Sequence, residues 1–363
     1  AQRDFETAAL GCWLGEVEGV DELDWAALGP ALARFDCRNN RLAELALRAD
    51  GFGARVRLAA ARWGAARVGV FLGTSTSGIL QTELAYRRRD AAGALPADLH
   101  YGETHNSYSV ARYLRAALGL AGPAHVVSTA CSSSAKVWAT AARMIAAGLI
   151  DAAVVGGVDS LCLTTLYGFK SLELMSAEIC RPWDAGRAGL SIGEAAAFAL
   201  VERDCATPLG WLLGAGESSD GHHMSSPHPE GAGAALAMRG ALAQAGLAPG
   251  EVDYINLHGT GTPGNDAAED KAVTAVFGTA TPCSSTKGYT GHTLGAAGAV
   301  EATISLLALQ HGLAPAGLNL RTPDPALHSA YLREPLQRAL RVVASNSFGF
   351  GGSNTCLVFG RAA

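Results

Sequence analysis

The 363-residue chain lacks the features of several common protein classes. It has no uninterrupted apolar run of the roughly 20 residues that a membrane-spanning helix needs, and no basic segment followed by an apolar one at its start. Its net charge is −5, with acidic and basic residues interspersed, so it offers no basic stripe to a nucleic acid. We therefore expect a soluble cytoplasmic protein with no membrane span and no nucleic-acid partner.

Paired cysteine motifs are also missing. The eight cysteines form no C-x-x-C pair and no dense framework, which favours reduced thiols in the cytosol. The histidine-rich segment 222–229 has no cysteine beside it, and proline stands on both sides of His228. We interpret it as a surface loop rather than a zinc site, and we expect no bound metal.

What the chain does contain points to an α/β protein. It is 49% hydrophobic and has 44 glycines, a composition that suits helices packed closely on sheets. Hydrophobic patterns predict strands at 67–72, 125–127, 151–157, 195–201, 211–215 and 252–257, and helices at 106–118, 135–147, 233–245 and 267–277. The length exceeds one hydrophobic core, and the order of elements repeats. We predict a duplicated α/β architecture with domains at 1–205 and 206–363.

Cys131 stands between a predicted strand and the first turn of a predicted helix, in the segment T-A-C-S-S-S. Unpaired N–H groups and the helix dipole at such a position favour an anion, so a thiolate should be accessible near neutral pH. A nucleophile is one interpretation. From this segment alone, a buried structural cysteine is the more common case.

Two histidines occupy similar positions in the second half. His258 follows a predicted strand in N-L-H-G-T-G-T, at the strand end where open α/β sheets build their sites. His292 ends the segment S-S-T-K-G-Y-T-G-H, and a helix rich in glycine and alanine follows it. Such small residues permit close helix packing or a narrow tunnel. A solvated loop histidine remains the alternative for His258.

The segment 345–354, S-N-S-F-G-F-G-G-S-N, alternates aromatic residues and glycine. Phe348 and Phe350 could gate a pocket, or the segment could form a bulge beside a strand. It is not a dinucleotide-binding fingerprint, because its glycines do not fit G-x-G-x-x-G at the start of a helix.

Together these segments resemble the signatures of β-ketoacyl synthases of the elongating, Cys-His-His kind. Four of them match, T-A-C-S-S-S, H-G-T-G-T-P, K-G-Y-T-G-H-T-L-G-A-A-G-A-V-E and N-S-F-G-F-G-G-S-N, and R-P-W-D at Arg181 is similar to a fifth. The resemblance runs from about Arg38 to Phe359. It implies the thiolase fold, a duplicated five-layered α-β-α-β-α arrangement that is usually dimeric through a strand of the first half.

The resemblance implies a two-step reaction. Cys131 is similar to the nucleophile that is acylated in a ping-pong acyl transfer, with its own N–H and that of Phe350 as the oxyanion hole. His258 and His292 look like the pair whose ring N–H groups hold the enolate oxygen after malonyl thioester loses carbon dioxide. Acyl transfer and decarboxylation develop negative charge on different oxygens, which explains why the site needs two sets of hydrogen-bond donors.

Further residues carry over to supporting roles. Lys287 resembles the lysine that orders the histidines, with Glu269 and Glu301 as its acidic partners. Thr260 and Thr262 resemble the hydroxyls that contact phosphopantetheine. Phe350 looks like a gate that moves on acylation, and we place Phe348 among the substrate-binding residues.

The resemblance implies no cofactor of the protein's own, because substrates arrive on the phosphopantetheine of an acyl carrier protein. A homodimer, or a heterodimer with a chain-length-factor homologue, is expected. The form T-A-C-S-S-S and segment 222–229 look more like secondary-metabolite ketosynthases, such as those of aryl polyene pathways, than like those of fatty acid biosynthesis. Carrier docking could involve Arg38, Arg41 or Lys170.

Residues 1–36 do not supply the strand and glycine-rich turn with which family members open, so we expect the opening strand to be missing.

Two alternatives share the fold. A degradative thiolase would need a second cysteine as base, and Cys283 and Cys356 fall outside the matching motif. A noncatalytic chain-length-factor-like subunit would ordinarily lack Cys131. An unrelated cysteine hydrolase would have no use for two histidines at strand ends.

Overall fold

Two β-sheets form the framework of the protein in the computed structural model, which describes residues 10–362. The strands are β1 Leu14–Gly15, β2 Val68–Gly73, β3 Ala124–Val127, β4 Ala152–Asp159, β5 Ile192–Gly193, β6 Ala195–Glu202, β7 Gly210–Ser219, β8 Tyr254–Asn256, β9 Pro282–Ser284, β10 Leu313–Ala314, β11 Ala330–Tyr331, β12 Leu336–Gln337, β13 Val342–Gly349 and β14 Ser353–Arg361. One sheet has the order β3-β2-β4-β6 and the other β11-β9-β8-β13-β14-β7. In both, parallel strands are followed by an antiparallel one, β6 or β14.

Helices cover both sheets and fill the space between them. They are α1 Arg38–Arg48, α2 Phe52–Trp63, α3 Ile79–Arg87, α4 Ser109–Leu118, α5 Ser133–Ala146, α6 Leu163–Ser171, α7 Ala232–Ala245, α8 Pro263–Phe277, α9 Lys287–Thr290 and α10 Ala297–His311. Helices α5 and α10 each contact strands of both sheets, α1, α2 and α4 pack on the outside of the first sheet, and α7 packs outside the second with α8 beside it. The layers are therefore α-β-α-β-α. None of the helices within residues 10–362 is long and apolar enough to cross a membrane.

Glycine permits the close packing of the central layer. Strands β2 and β4 are buried along their whole length, as expected for parallel strands covered on both faces. A Cβ on Gly73 would lie 2.2 Å from the backbone nitrogen of Ser134 in α5. A Cβ on Gly298 in α10 would lie 2.7 Å from Ala135. Strand β2, α5 and α10 thus approach one another at backbone distance.

The predicted α/β fold class with five layers is confirmed. Among the predicted elements, the strand at 252–257 is shorter, because a 3-10 turn at Pro249–Glu251 delays its start and β8 spans only Tyr254–Asn256. Helix α8 begins at Pro263, four residues before the prediction, since proline is favoured in the first turn of a helix. The boundary between 205 and 206 stays a prediction.

Residues 10–36 form only β1 and two short 3-10 turns, Ala26–Leu28 and Ala33–Phe35. Strand β1 pairs with β5 over two residues. Within residues 10–362 no strand pairs with the outer edge of β6, whereas β7 covers the corresponding edge of β14. Residues 1–9, which belong to the segment predicted to lack the opening strand, lie outside the described residues.

Candidate active site

Cys131 lies on a tight turn between β3 and α5. The preceding residue, Ala130, has a φ of +51°, in the left-handed region that side chains other than glycine rarely adopt. Helix α5 begins two residues later, at Ser133. The backbone N–H of Phe350 donates to the sulfur of Cys131. Such local strain is typical of functional turns, because the surrounding structure must hold it.

The structure brings Cys131, His258 and His292 together. Nε2 of His292 lies 2.9 Å from Sγ of Cys131, and one nitrogen of each ring lies within 4.8 Å of that sulfur and of the other nitrogen. The two rings are nearly perpendicular, at 85°, with centroids 5.3 Å apart. Cys131 follows a strand of the first sheet, whereas His258 follows β8 of the second. The site is therefore assembled from both sheets.

Lys287 determines the protonation of one histidine. Its side chain is buried and donates to Glu301, to the backbone oxygen of His258 and, over 3.3 Å, to Nδ1 of that ring. An ammonium group can only donate, so Nδ1 of His258 holds a lone pair and Nε2 carries the proton. This ring is therefore a hydrogen-bond donor at Nε2.

Glu269 has a different role from the one predicted. It accepts the backbone N–H groups of His258 at 2.8 Å and Gly259 at 2.7 Å, and the Asn346 amide at 3.1 Å. Within the described residues, no hydrogen bond or ion pair joins Glu269 to Lys287. The acidic partner of Lys287 is Glu301. The prediction that Glu269 pairs with Lys287 is wrong; it fixes the turn that carries His258.

Burial dominates the electrostatics of the site. It lowers the pKa of both His258 and His292 well below the usual value, and the positive charge of Lys287 acts in the same direction. Burial raises the pKa of Cys131 to about 12, although Lys287 opposes it. Burial thus acts against the thiolate expected near neutral pH, and its effect on the pKa exceeds that of Lys287. The resting site holds a thiol and two neutral imidazoles.

A cavity of about 520 Å³ leads from Cys131 to the surface. Its walls include the predicted substrate-binding residues, Thr260, Thr262 and Phe348, and the predicted gate, Phe350. The hydroxyls of the two threonines lie 2.9 Å apart, and the ring of Phe350 stacks on that of Phe169 at 5.5 Å. The histidine-rich segment is exposed, as predicted for a surface loop, but it also walls this cavity.

Several residues of this wall were not singled out from the sequence. Asp220 accepts the N–H of His228 at 3.0 Å and the amide of Asn354 at 2.8 Å, and so joins segment 220–230 to the glycine-rich turn. Met224 and Gly351 make a second link, over 2.7 Å. The only sequence signal for these contacts is the glycine at Gly351, which has a φ of +80°.

The suggested docking residues do not all lie at a surface rim. Arg38 is 9% exposed, and its guanidinium binds both carboxylate oxygens of Glu194. Arg41 binds Asp36 through two hydrogen bonds. Arg38 therefore cannot meet a carrier protein, since a buried bidentate pair is not free to exchange its partner.

The fold and this site define a family of condensing enzymes. The models of the β-ketoacyl synthase N-terminal domain and C-terminal domain match residues 42–206 and 209–321. The chain belongs to the β-ketoacyl synthase family.

Individual relatives agree with this assignment. A mitochondrial 3-oxoacyl-[acyl-carrier-protein] synthase of Arabidopsis thaliana is 41% identical over 66% of this chain and 57% of its own length. A 3-oxoacyl-[acyl-carrier-protein] synthase 2 of Coxiella burnetii is 40% identical over 67% of this chain and 63% of its own. The chain thus spans less than two thirds of these two curated relatives. Nodulation protein E of Rhizobium meliloti is 36% identical over 81% of this chain and 76% of its own length.

Solved structures share the whole fold. A ketosynthase in complex with its chain length factor, from Xenorhabdus doucetiae, is 41% identical with a TM-score of 0.88, covering 97% of this chain and 87% of that one. A β-ketoacyl synthase from Burkholderia phymatum is 31% identical with a TM-score of 0.86, covering 96% and 88%.

Proposed function

We propose that the protein is a β-ketoacyl synthase that extends an acyl chain on an acyl carrier protein. In the first step Sγ of Cys131, which accepts a hydrogen bond from the Nε2–H of His292, attacks the acyl thioester, and the thiol releases its proton as the new carbon–sulfur bond forms. The leaving thiolate of the carrier takes that proton. The N–H groups of Cys131 and Phe350 stabilise the oxyanion of the tetrahedral intermediate.

In the second step malonyl thioester enters the vacated cavity. Its carboxylate leaves as carbon dioxide, and the electron pair of the broken C–C bond forms an enolate. The N–H groups of His258 and His292 at Nε2 bind the enolate oxygen, and the carbanion attacks the acyl group on Cys131. The thioester bond to the sulfur breaks, which releases the β-ketoacyl chain on the carrier, and the Cys131 thiolate takes up a proton from solvent.

The observation that carries the proposal is the meeting of one thiol and two neutral imidazoles at the inner end of a single cavity. A charged imidazolium would not suit both steps, and burial keeps both rings uncharged. A thiolase would need a second cysteine here. Cys283 and Cys356 are buried and do not line the cavity in the described part of the chain.

The partners are proposed on the same basis. The cavity suits a phosphopantetheine arm, with Thr260 and Thr262 on its wall, and the reaction requires no other cofactor. A heterodimer with a chain-length factor is supported by the similarity to the Xenorhabdus ketosynthase. A homodimer remains the alternative. An aryl polyene-like pathway and a cytoplasmic location stay proposals, and the free thiols of all eight cysteines fit a reducing compartment.

Acyl loading tests the nucleophile. We expect Cys131→Ala to abolish the acyl adduct that intact-mass spectrometry detects after incubation with acyl carrier thioesters, a loss of at least about a thousandfold in rate. Cys205→Ala, at a half-buried cysteine outside the cavity, is the matched control and should load normally. An undiminished adduct on Cys131→Ala would contradict the proposal.

Carbon dioxide release tests the histidine. His292→Ala should retain much of the acyl loading but lower malonyl decarboxylation by roughly a hundredfold to a thousandfold, because one donor to the enolate oxygen is lost. His311→Ala, at the exposed end of α10, controls for the loss of a histidine. Wild-type release from His292→Ala would refute the assigned role.

A further inference from the structure

One lysine lines the cavity. Among the described residues of its wall, Lys271 is the only lysine or arginine. Its side chain is 49% exposed, whereas Cys131 at the inner end is 5% exposed. The cavity therefore runs from a buried nucleophile to a single permanent positive charge near solvent.

Helix α8 connects the two regions. Thr260 and Thr262 precede it, and its residues Gly264, Ala267, Ala268 and Lys271 line the cavity. From Pro263 to Lys271 a helix rises roughly 12 Å, at 1.5 Å per residue. Of the cavity-lining residues between them, Gly264, Ala267 and Ala268 have small or no side chains and Asn265 is polar, so an extended ligand could lie along this face. Segment 220–230 also contributes residues to the cavity wall, among them Asp220, His222 and Pro229.

Lys271 is held at this wall by an exchangeable contact. Its Nζ lies 2.7 Å from the carboxylate of Glu230 and 3.1 Å from the backbone oxygen of Pro229. The side chain of Glu230 is 70% exposed, and Lys271 lowers its pKa. An ion pair this open to water contributes little stability, so another anion can replace the glutamate.

We propose that Lys271 binds the phosphate of the phosphopantetheine arm and that Glu230 competes with this phosphate for it. The inference rests on the proposed function, which delivers both substrates on such an arm. The arm would pass Thr260 and Thr262 with its thioester at Cys131 and present its anionic end toward solvent. Lys271 thereby distinguishes phosphorylated from unphosphorylated pantetheine thioesters.

The test compares malonyl-phosphopantetheine with malonyl-pantetheine, which lacks the phosphate. In wild type we expect a lower KM for carbon dioxide release with the phosphorylated substrate. Lys271→Met should raise that KM about threefold to tenfold and bring the ratio of the two KM values close to one. Lys271→Arg should restore most of the ratio. Arg239→Met, an exposed site outside the cavity wall, removes the same charge and should leave the ratio as in wild type.

Glu230→Gln provides the opposite change. It frees Lys271 from its competitor, so the KM for malonyl-phosphopantetheine should fall about twofold to threefold. An equal KM ratio in wild type and Lys271→Met, or a rise in KM with Glu230→Gln, would overturn the proposal.

Direct binding separates this result from the proposed activity. Titration calorimetry with phosphopantetheine and pantetheine needs no turnover, and preferential binding of the first should disappear in Lys271→Met. If the protein decarboxylates neither substrate but Lys271→Met still loses the preference for phosphopantetheine, the proposed reaction is refuted and the phosphate site is upheld. An active enzyme with no preference for the phosphate would refute the site alone.

Discussion

The buried pair of Lys287 and Glu301 is the residue-scale feature on which the histidines depend. Lys287 contacts Glu301 and the ring of His258 at the same time. Burial raises the pKa of Glu301 to about 7, and Lys287 opposes this shift. Removing either partner leaves the other without a counter-charge in a dry site.

A double-mutant cycle measures this pair. We expect Lys287→Met or Glu301→Gln alone to lower the free energy of unfolding by about 3–5 kcal/mol, and the double variant to lower it by clearly less than the sum. Urea denaturation of the four proteins gives the values. Additive losses would show that the two side chains do not stabilise each other.

Glu269 should make stability depend on pH. Burial raises the pKa of Glu269 from the usual 4.5 to about 7, so the folded state takes up a proton that the unfolded state does not. Its stabilising contribution is full below about pH 4.5 and is lost as pH rises through about 7. Glu269→Gln should therefore destabilise the protein more at pH 5 than at pH 8.

Denaturation midpoints at the two pH values check this prediction. The exposed Glu22→Gln is the control and should shift the midpoints at both pH values equally. A constant difference between wild type and Glu269→Gln would show that this carboxyl does not titrate in that range.

The sequence was informative about residue types and less about their partners. The motifs identified Cys131, His258 and His292 as candidates, and the structure places them in contact. Their pattern could not distinguish Glu269 from Glu301 as the partner of Lys287, because both lie on helices whose packing decides the distance. The burial that sets the pKa of Cys131 likewise depends on residues far away in the chain.

At the scale of elements, the contact between α5 and α10 positions Cys131 relative to His292. Gly298→Ala would force these helices apart, since the new Cβ would lie 2.7 Å from Ala135. We expect a loss of about 1–3 kcal/mol in the free energy of unfolding. Gly240→Ala in α7, whose Cβ would meet its nearest atom at 3.5 Å, should instead be neutral or stabilising by up to about 1 kcal/mol.

Thermal unfolding of both variants, followed by circular dichroism, tests the packing. If the unfolding temperature of Gly298→Ala equals that of wild type, the two helices can accommodate the additional methyl group without strain.

Helices and strands were predictable from the sequence where a hydrophobic pattern continues over many residues, as in α5 and α7. Ends were less predictable. The start of α8 at Pro263 depends on the turn that Glu269 and Asp266 hold by accepting backbone N–H groups, and these contacts join residues that no local pattern connects. The wall formed by segment 220–230 was missed for the same reason.

At the scale of the molecule, β3 lies at the edge of the first sheet, with no further strand beside it in residues 10–362. Pro123 and Val127 direct their backbone oxygens toward β2, so the N–H of Val126 faces outward. The resemblance predicts dimerisation through a strand of the first half, and β3 meets that description. Val126→Pro removes the outward N–H while an edge position tolerates proline.

We expect Val126→Pro to shift the protein, alone or mixed with a chain-length-factor partner, toward the monomer. Size-exclusion chromatography with light scattering measures the mass, and Val126→Thr, which keeps the N–H, should behave as wild type. A dimer that survives Val126→Pro would exclude pairing through this edge.

Cys131 and His292 are 161 positions apart in the chain and are in contact only while both sheets remain packed against α5 and α10. The proposed activity is consequently more sensitive to perturbation than the fold, because a small shift between layers separates the sulfur from the imidazole and leaves every helix and strand intact. Dilute denaturant should abolish the proposed activity before circular dichroism changes, so an activity assay would count molecules whose layers are correctly packed rather than all folded molecules.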